Sequence, residues 1–115
     1  MAEIYNNDKG HLVIKLTNKD VNTLGFGIAI MAINNLVICD TCNNEVNSDE
    51  IYYVCAINRI LCKDCLDDYL DNMKHYEDDD SLNYEINHFN AVASKIGMRK
   101  RAYKTVDNKI IFSYV

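Results

Sequence analysis

The N-terminal part of the chain alternates apolar and polar residues in the way that strands do. The stretch from His11 to Leu16 is rich in β-branched residues, and residues 2–5 carry a shorter run of the same kind. Between them lies the turn-forming sequence Asn6-Asn7-Asp8-Lys9-Gly10. Apolar runs bounded by Asn, Asp and Gly are typical of paired strands, so the pattern predicts an N-terminal hairpin.

The segment from 17 to 35 supports two interpretations. Its apolar residues recur at helical spacing, and it begins with Thr17 and Asp20 in the arrangement of a capping box. However, two glycines near its centre would each cost a helix about 1 kcal/mol relative to alanine, and Asn34-Asn35 suits a hairpin turn. We therefore predict a short helix over 18–24 and strands over 26–33 and 36–39.

The pattern of residues 51–62 predicts another hairpin. Apolar and β-branched residues run from Ile51 to Ile57 and again from Ile60 to Cys62, separated by Asn58-Arg59. A two-residue turn at Asn58-Arg59 would place Cys55 opposite Cys62.

Two helices are predicted next. The first has an apolar face formed by Leu66, Tyr69, Leu70, Met73 and Tyr76. The second spans 81–96, ends at the capping residue Gly97, and has an apolar face formed by Leu82, Ile86, Phe89, Ala93 and Ile96. An acidic loop over 77–80 separates the helices, and a last hairpin over 101–106 and 109–115 follows them.

These elements predict a single small α+β domain over residues 1–115. A chain of 115 residues has the length of one domain, and its 49% hydrophobic content is that of a globular protein. No apolar run approaches the roughly 18 residues of a membrane span. The N-terminus lacks the basic start and apolar core of a signal peptide. We expect a cytoplasmic protein that does not bind membranes and whose cysteines stay reduced.

Four of the five cysteines form two Cys-x-x-Cys pairs. The first pair is Cys39 with Cys42, and the second is Cys62 with Cys65. In a reducing compartment, pairs with this spacing favour a metal site over disulfides. Four thiolates suit the tetrahedral shell of structural zinc, with Zn–S bonds of about 2.3 Å. The sequence therefore predicts one structural zinc ion (Zn2+) per chain.

The surroundings of the two pairs match a known arrangement. Asn43-Asn44 follows the first pair where a zinc knuckle has glycine, and Asn tolerates a left-handed backbone. The predicted hairpin leads to the second pair on the first turn of a helix, whose dipole favours thiolates. This spacing resembles the zinc-binding domain of the Clp unfoldase subunit and treble clefs in general. The resemblance implies a treble-clef-like zinc core over 39–76.

Cys55 is left over from the two pairs. Its predicted place opposite Cys62 could bring it near the metal, and we expect either a buried thiol or one in contact with the metal ligands. The alternative is that Cys55 replaces Cys62 as a ligand.

The sequence gives little support for an enzyme. A catalytic zinc keeps an open coordination position, which four thiolates do not leave. His11, His75 and His88 form no zinc-binding motif, and the chain contains no phosphate-binding loop or nucleophile elbow. We therefore predict a non-enzymatic protein.

The net charge of −5 is divided unevenly along the chain. Residues 62–80 contain eight acids and two lysines, whereas residues 95–109 contain six bases and one acid. The simpler explanation of each charged cluster is solvent-exposed surface without a binding role. As functional surfaces, the acids would bind a basic protein and the bases would bind nucleic acid. The candidate protein-binding residues are Asp67, Asp71, Asp78, Asp79 and Asp80. The candidate nucleic-acid-binding residues are Arg99, Lys100, Arg101 and Lys104.

Residues 34 to about 90 carry more particular motifs. These are Asn34-Asn35-Leu36-Val37-Ile38 before the first pair, Ile51-Tyr52-Tyr53-Val54, and Asn58-Arg59-Ile60-Leu61 before the second. With the cysteines they resemble uncharacterised small four-cysteine zinc proteins of phages and prophages of low-GC bacteria. The resemblance implies a phage accessory protein that binds or inhibits a bacterial host protein, for example a defence nuclease. The alternative is a nucleic-acid-binding or transcriptional accessory domain.

Overall fold

A computed structural model describes residues 2–5, 12–17, 19–20, 30–31, 36–47, 50–72 and 79–115. These residues form a small α+β domain with three antiparallel sheets and two helices. In chain order the elements are β1 (Glu3–Tyr5), β2 (Val13–Leu16), β3 (Ile30–Met31), β4 (Leu36–Ile38), β5 (Glu45–Asn47), β6 (Ile51–Val54), β7 (Arg59–Cys62), α1 (Lys63–Asn72), α2 (Asp79–Lys95), β8 (Lys100–Lys104) and β9 (Ile110–Tyr114). Neither of these helices is long and apolar enough to cross a membrane.

The central sheet has the strand order β1-β2-β6-β7. Its N-terminal hairpin is confirmed, with Ile4 opposite Ile14. Strand β2 then pairs with β6, which places Leu16 opposite Ile51. The smaller sheets have the orders β3-β4-β5 and β8-β9.

Both faces of the central sheet are buried. One core cluster includes Ile14 and Tyr53 of the sheet together with Phe89 of α2, all with no exposed surface. A second cluster includes Val54 and the α1 residue Leu66, and it contains the metal-site cysteines. Burying a large apolar side chain contributes about 1.5–3 kcal/mol, so each helix is held by its own side of the sheet.

The predicted register of the β6–β7 hairpin is wrong. Val54 pairs with Arg59 and Ile51 pairs with Cys62, so the turn contains four residues, 55–58. Asn58 has a φ of 53°, a left-handed conformation that Asn tolerates, and it accepts a hydrogen bond from the Tyr53 hydroxyl. These features close a longer turn than the two-residue one expected.

The predicted helices are largely confirmed. Leu66 and Leu70 are buried on α1, whereas Met73, Tyr76 and the first half of the predicted acidic loop, residues 77–78, lie outside the described residues. Asp79 and Asp80 belong to α2 and not to a loop, since carboxylates favour the first turn of a helix.

The predicted cap of α2 is also confirmed. Gly97 has a φ of 80°. Its N–H donates to the Ser94 carbonyl at 3.3 Å, and the Met98 N–H donates to the Ala93 carbonyl at 2.9 Å. This pair of bonds is the Schellman motif, which ends a helix on a left-handed residue.

The segment that supported two interpretations is described only in part. The Thr17 N–H donates to Asp20 and the Asp20 N–H donates to the Thr17 hydroxyl, which confirms the capping box. Most of the predicted helix lies outside the described residues. Strands β3 and β4 pair near the predicted positions, but β5 was not predicted, because its Glu-Val-Asn sequence offers a single apolar residue.

Candidate metal centre

The first cysteine pair lies on a tight turn after β4. The Asn43 N–H donates to the Cys39 carbonyl at 3.0 Å, and the Cys39 N–H donates to the Asn44 carbonyl at 3.1 Å. Asn43 has a φ of 60°, as expected for a residue at the position where a zinc knuckle usually has glycine. The turn brings the sulfurs of Cys39 and Cys42 to the same side of the chain.

The second pair lies at the junction of β7 and α1. Cys62 is the last residue of β7, and Cys65 lies in the first turn of the helix. The Cys62 N–H donates to the Cys39 sulfur at 3.4 Å. The junction therefore supports the first pair directly.

Asp40 joins the two halves of the centre. Its N–H donates to the Ile60 carbonyl at 3.0 Å, and its carboxylate accepts the Ile60 N–H at 2.9 Å. This pair of bonds attaches the first turn to β7, as an added strand would. Sequence reasoning missed this role, although an Asp directly after a ligand cysteine is a residue able to bond backbone N–H groups.

The four predicted cysteines are brought together. The sulfurs of Cys39, Cys42, Cys62 and Cys65 all lie within 4.8 Å of one another, and Cys42 and Cys62 are 3.9 Å apart. A tetrahedron with metal–sulfur bonds of about 2.3 Å has sulfurs about 3.8 Å apart. Cys39 and Cys62 are buried and the other two are partly exposed. The group is thus suited to hold a metal ion such as zinc.

The environment favours a thiolate at Cys39. Burial raises the pKa of the Cys39 thiol, but backbone N–H groups outweigh that effect and lower the pKa to about 7. Those N–H groups belong to Cys42, Cys62 and Thr41. Burial raises the pKa of Cys62 and of Cys65, and the sulfurs of the other cysteines raise the pKa of Cys65 further. Without a metal, the group therefore carries less negative charge than four thiolates would.

We expect the affinity for the metal to decrease as the pH decreases. Above its lowered pKa of about 7, Cys39 is ready as a thiolate, whereas the thiols of Cys62 and Cys65 must lose their protons to the solvent when metal binds. Adding zinc to unbuffered metal-free protein should therefore release protons, and competition with a chromophoric chelator should show binding that weakens as the pH falls, most steeply below about 7, where Cys39 is protonated as well. An affinity independent of pH would contradict this assignment of protons.

Cys55 does not join the group. It has no exposed surface and packs with the α2 core cluster, on the other face of the sheet from the metal-site cysteines. The prediction of a buried thiol is confirmed, but its predicted position opposite Cys62 is wrong because the hairpin turn is longer.

The predicted acidic residues lie on two helices. Asp67 and Asp71 are exposed on α1, and Asp67 accepts a hydrogen bond from Lys63 at 2.6 Å. Asp79 and Asp80 lie in the first turn of α2, and Asp78 lies outside the described residues.

The predicted basic residues lie on one hairpin. Lys100, Arg101 and Lys104 belong to β8, and Arg99 precedes it. The Arg101 guanidinium donates to the carbonyls of Met98 and Lys100, which engages that side chain locally.

Sequence reasoning missed the exposure of the C-terminal hairpin. Large apolar side chains are exposed at Tyr103, Val106, Ile111, Phe112, Tyr114 and Val115. Consecutive β-branched and aromatic residues such as these are typical of a buried strand, and no local signal indicates that the strand is left largely uncovered.

The comparisons with known proteins add no relative. No family model matches the chain, and no match was found among curated proteins or among solved structures.

Proposed function

We propose that the four cysteines hold one structural zinc ion in a treble-clef-like core. The order of elements supports this proposal: a tight turn carries Cys39 and Cys42, a hairpin follows, and a helix carries Cys65 in its first turn. Thiolates are soft ligands that favour zinc over magnesium or calcium, and four of them close the shell. The ion is therefore structural, and the protein is not an enzyme.

The protein acts as an interaction module. The observation that carries this proposal is the concentration of exposed large apolar side chains in residues 103–115. Soluble domains seldom leave so many large apolar side chains of one hairpin in contact with water unless another molecule covers them. The zinc core provides the rigid base that a small chain needs in order to present that surface.

The partner is a bacterial protein. The sequence motifs around the cysteines support a phage-encoded accessory protein that works in the cytoplasm of the host, where binding or inhibition of a host protein, such as a defence nuclease, is its role. Capture of the tagged, zinc-loaded protein's partners from bacterial lysate tests this role. Capture should persist after nuclease treatment.

The acidic face of α1 steers that partner. Asp67 and Asp71 are exposed on the same helix as Asp64 and Asp68, and complementary charge acts mainly on the rate of encounter. Reversing Asp67 and Asp71 to lysine should slow association with the captured protein about tenfold at low salt, with little change in dissociation.

The matched control for this prediction reverses two exposed acids elsewhere, Glu45 and Glu50, with the same change in net charge. Surface plasmon resonance at two salt concentrations measures both variants. Equal slowing in the two variants would mean that net charge matters and that the α1 face does not.

Nucleic acid is the alternative partner. The specific observation in its favour is that Tyr103 is 47% exposed on β8, the strand that carries Lys100 and Lys104. Exposed aromatic and basic side chains can stack bases and hold phosphates. In that case capture would be lost after nuclease treatment, and gel shifts would weaken steeply with salt and disappear when Arg99, Lys100 and Arg101 are replaced by alanine.

A further inference from the structure

The two outer edges of the C-terminal hairpin differ. On β8, the Asn90 side chain of α2 bonds the backbone of Ala102 on both sides: its Oδ1 accepts the Ala102 N–H at 2.7 Å, and its Nδ2 donates to the Ala102 carbonyl at 3.0 Å. One amide side chain thus occupies that edge as a neighbouring strand would. No described residue does the same for β9, which pairs with β8 alone.

The hydrogen bonds of the hairpin show which β9 residues face the open edge. The Val115 N–H donates to the Arg99 carbonyl, and the Thr105 N–H donates to the Lys109 carbonyl, each at 2.8 Å. Successive strand residues point their N–H and C=O groups to opposite sides. Ile110, Phe112 and Tyr114 therefore point theirs away from β8.

The sequence of strand β9 has none of the residues that usually protect an edge. Residues 110–115 contain no charge, proline or glycine and are rich in β-forming residues. Natural proteins usually guard such an edge with lysine, proline or a bulge, because it pairs readily with another strand. An unguarded edge of this kind is suited to accept a strand from another chain.

A groove lies beside the same strand. Its lining includes Phe112 and Tyr114 of β9 together with Ala2 and Ile4, which lie just before and in the edge strand β1. The exposed fraction is 41% at Phe112 and 74% at Tyr114, so both side chains are accessible to a ligand in the groove. Apolar side chains of two sheet-edge strands thus contribute to the lining of the groove.

The charge around this groove is mainly positive. Four bases line it, namely Lys19, Lys95, Arg99 and Lys100. Two acids also line it, but Asp20 is buried in the capping box with Thr17, which leaves Glu3 as the exposed acid of the lining. The Lys100 ammonium lies 5.7 Å from the centre of the Tyr114 ring.

We propose that β9 binds an extended, acidic segment of a partner protein as an added strand. This inference rests on the proposed interaction function and names its surface. The N–H and C=O groups of Ile110, Phe112 and Tyr114 pair with the segment's backbone, and its carboxylates meet the bases of the groove. The backbone supplies affinity and the charges supply selectivity.

Two other occupants fit less well. A second copy of β9 would bring no carboxylate to the groove, because that strand is uncharged. A single nucleic-acid strand would satisfy the bases, but it lacks the alternating donors and acceptors that a sheet edge requires. An acidic polypeptide satisfies both the edge and the charge.

The test uses the full zinc-loaded protein and a fluorescein-labelled peptide, Glu-Ile-Glu-Val-Glu-Ile-Glu. The controls are the same peptide with lysine in place of glutamate, the acidic peptide with alternate amides N-methylated, and an oligothymidylate. We expect fluorescence anisotropy to show binding of the first peptide alone. Hydrogen exchange followed by NMR should show new protection at the amides of Phe112 and Tyr114.

Variants of the protein separate the two contributions. Tyr114→Pro removes one edge N–H and should weaken binding about fivefold relative to Tyr114→Val, which keeps that N–H. Lys95→Glu combined with Arg99→Glu should weaken binding about tenfold at low salt, whereas the single change Lys109→Glu, outside the groove lining, should have little effect. Zinc content and the thermal transition confirm that each variant is folded.

Several outcomes would overturn the proposal. They are no binding of the acidic peptide, equal binding of the N-methylated peptide, preferred binding of the oligothymidylate, and a concentration-dependent dimer that protects the same amides without peptide. None of these outcomes would change the capture of a host protein through the acidic residues of α1. Loss of that capture, with peptide binding intact, would instead overturn the proposed function and leave the β9 site standing.

Discussion

Replacing Cys65 with serine is expected to abolish both metal binding and cooperative folding. The sulfur of Cys65 completes a group whose members lie within 4.8 Å of one another. A serine hydroxyl does not ionise at neutral pH, so three thiolates would remain around an incomplete shell. Structural zinc contributes on the order of 10 kcal/mol to folding in small domains, which equals or exceeds the net stability of most of them.

Native mass spectrometry and thermal unfolding followed by circular dichroism measure the two effects. The wild-type chain should carry one zinc ion and unfold in a single sharp transition. Cys65→Ser and Cys42→Ser should carry none and unfold without one. A metal-free chain that still unfolds sharply would contradict a structural role for the metal.

Cys55→Ser provides the matched control, because it makes the same chemical change at a cysteine outside the group. The protein should keep its zinc ion. Its stability should fall by about 1–3 kcal/mol, since a hydroxyl would be buried where the thiol has no exposed surface. Loss of zinc in this variant would mean that Cys55 takes part in the metal site.

The grouping of the four cysteines could be predicted because its information is local. Two Cys-x-x-Cys pairs define four sulfurs at ligand spacing, and the asparagine after the first pair indicates the left-handed turn that the structure has at Asn43. The apolar faces of α1 and α2 were predictable for the same reason, because a repeat of 3.6 residues specifies a face without knowledge of what covers it.

The register of β6 and β7 could not be obtained in this way. It depends on which residues close the turn, and Asn58-Arg59 offered an acceptable two-residue turn that competed with the longer one. The observed turn brings Tyr53 opposite Ile60 and lets its hydroxyl reach Asn58. That choice depends on packing across the sheet, which a single strand's sequence does not contain.

Polar contacts between residues far apart in the chain could not be predicted from the sequence either. Glu85 lies on α2, and its carboxylate accepts the Leu12 N–H at 2.7 Å across a separation of 73 residues. Glutamate side chains are usually solvated, so nothing in the sequence indicates that this one is buried. The structure instead buries it completely, and the bond ties the start of β2 to the second helix.

Phe89 should be the residue of α2 whose loss costs most. Its side chain has no exposed surface, belongs to the core cluster between α2 and the central sheet, and meets the edge of the Phe112 ring with centroids 5.6 Å apart. Phe89→Ala would leave a cavity in contact with both the sheet and the C-terminal hairpin. Such substitutions cost about 3–5 kcal/mol.

Urea unfolding of the zinc-loaded protein measures this cost, and Tyr84→Ala is its control. Tyr84 lies on the same helix but is 48% exposed, so its removal should change the free energy of unfolding by no more than about 0.5 kcal/mol. Equal effects of the two substitutions would mean that Phe89 does not pack as the structure places it.

The Phe89→Ala variant also tests whether the two faces of the central sheet unfold together. Phe89 and the metal-site cysteines lie in different core clusters, yet both clusters draw on β6, where Tyr53 belongs to one and Val54 to the other. Because neighbouring residues of a single strand serve both faces, losing one face removes the support of the other. Zinc release, followed with a chromophoric chelator, should therefore occur in Phe89→Ala at the same lowered urea concentration as the loss of helical signal. Release at the wild-type midpoint would show instead that the metal core stands without α2.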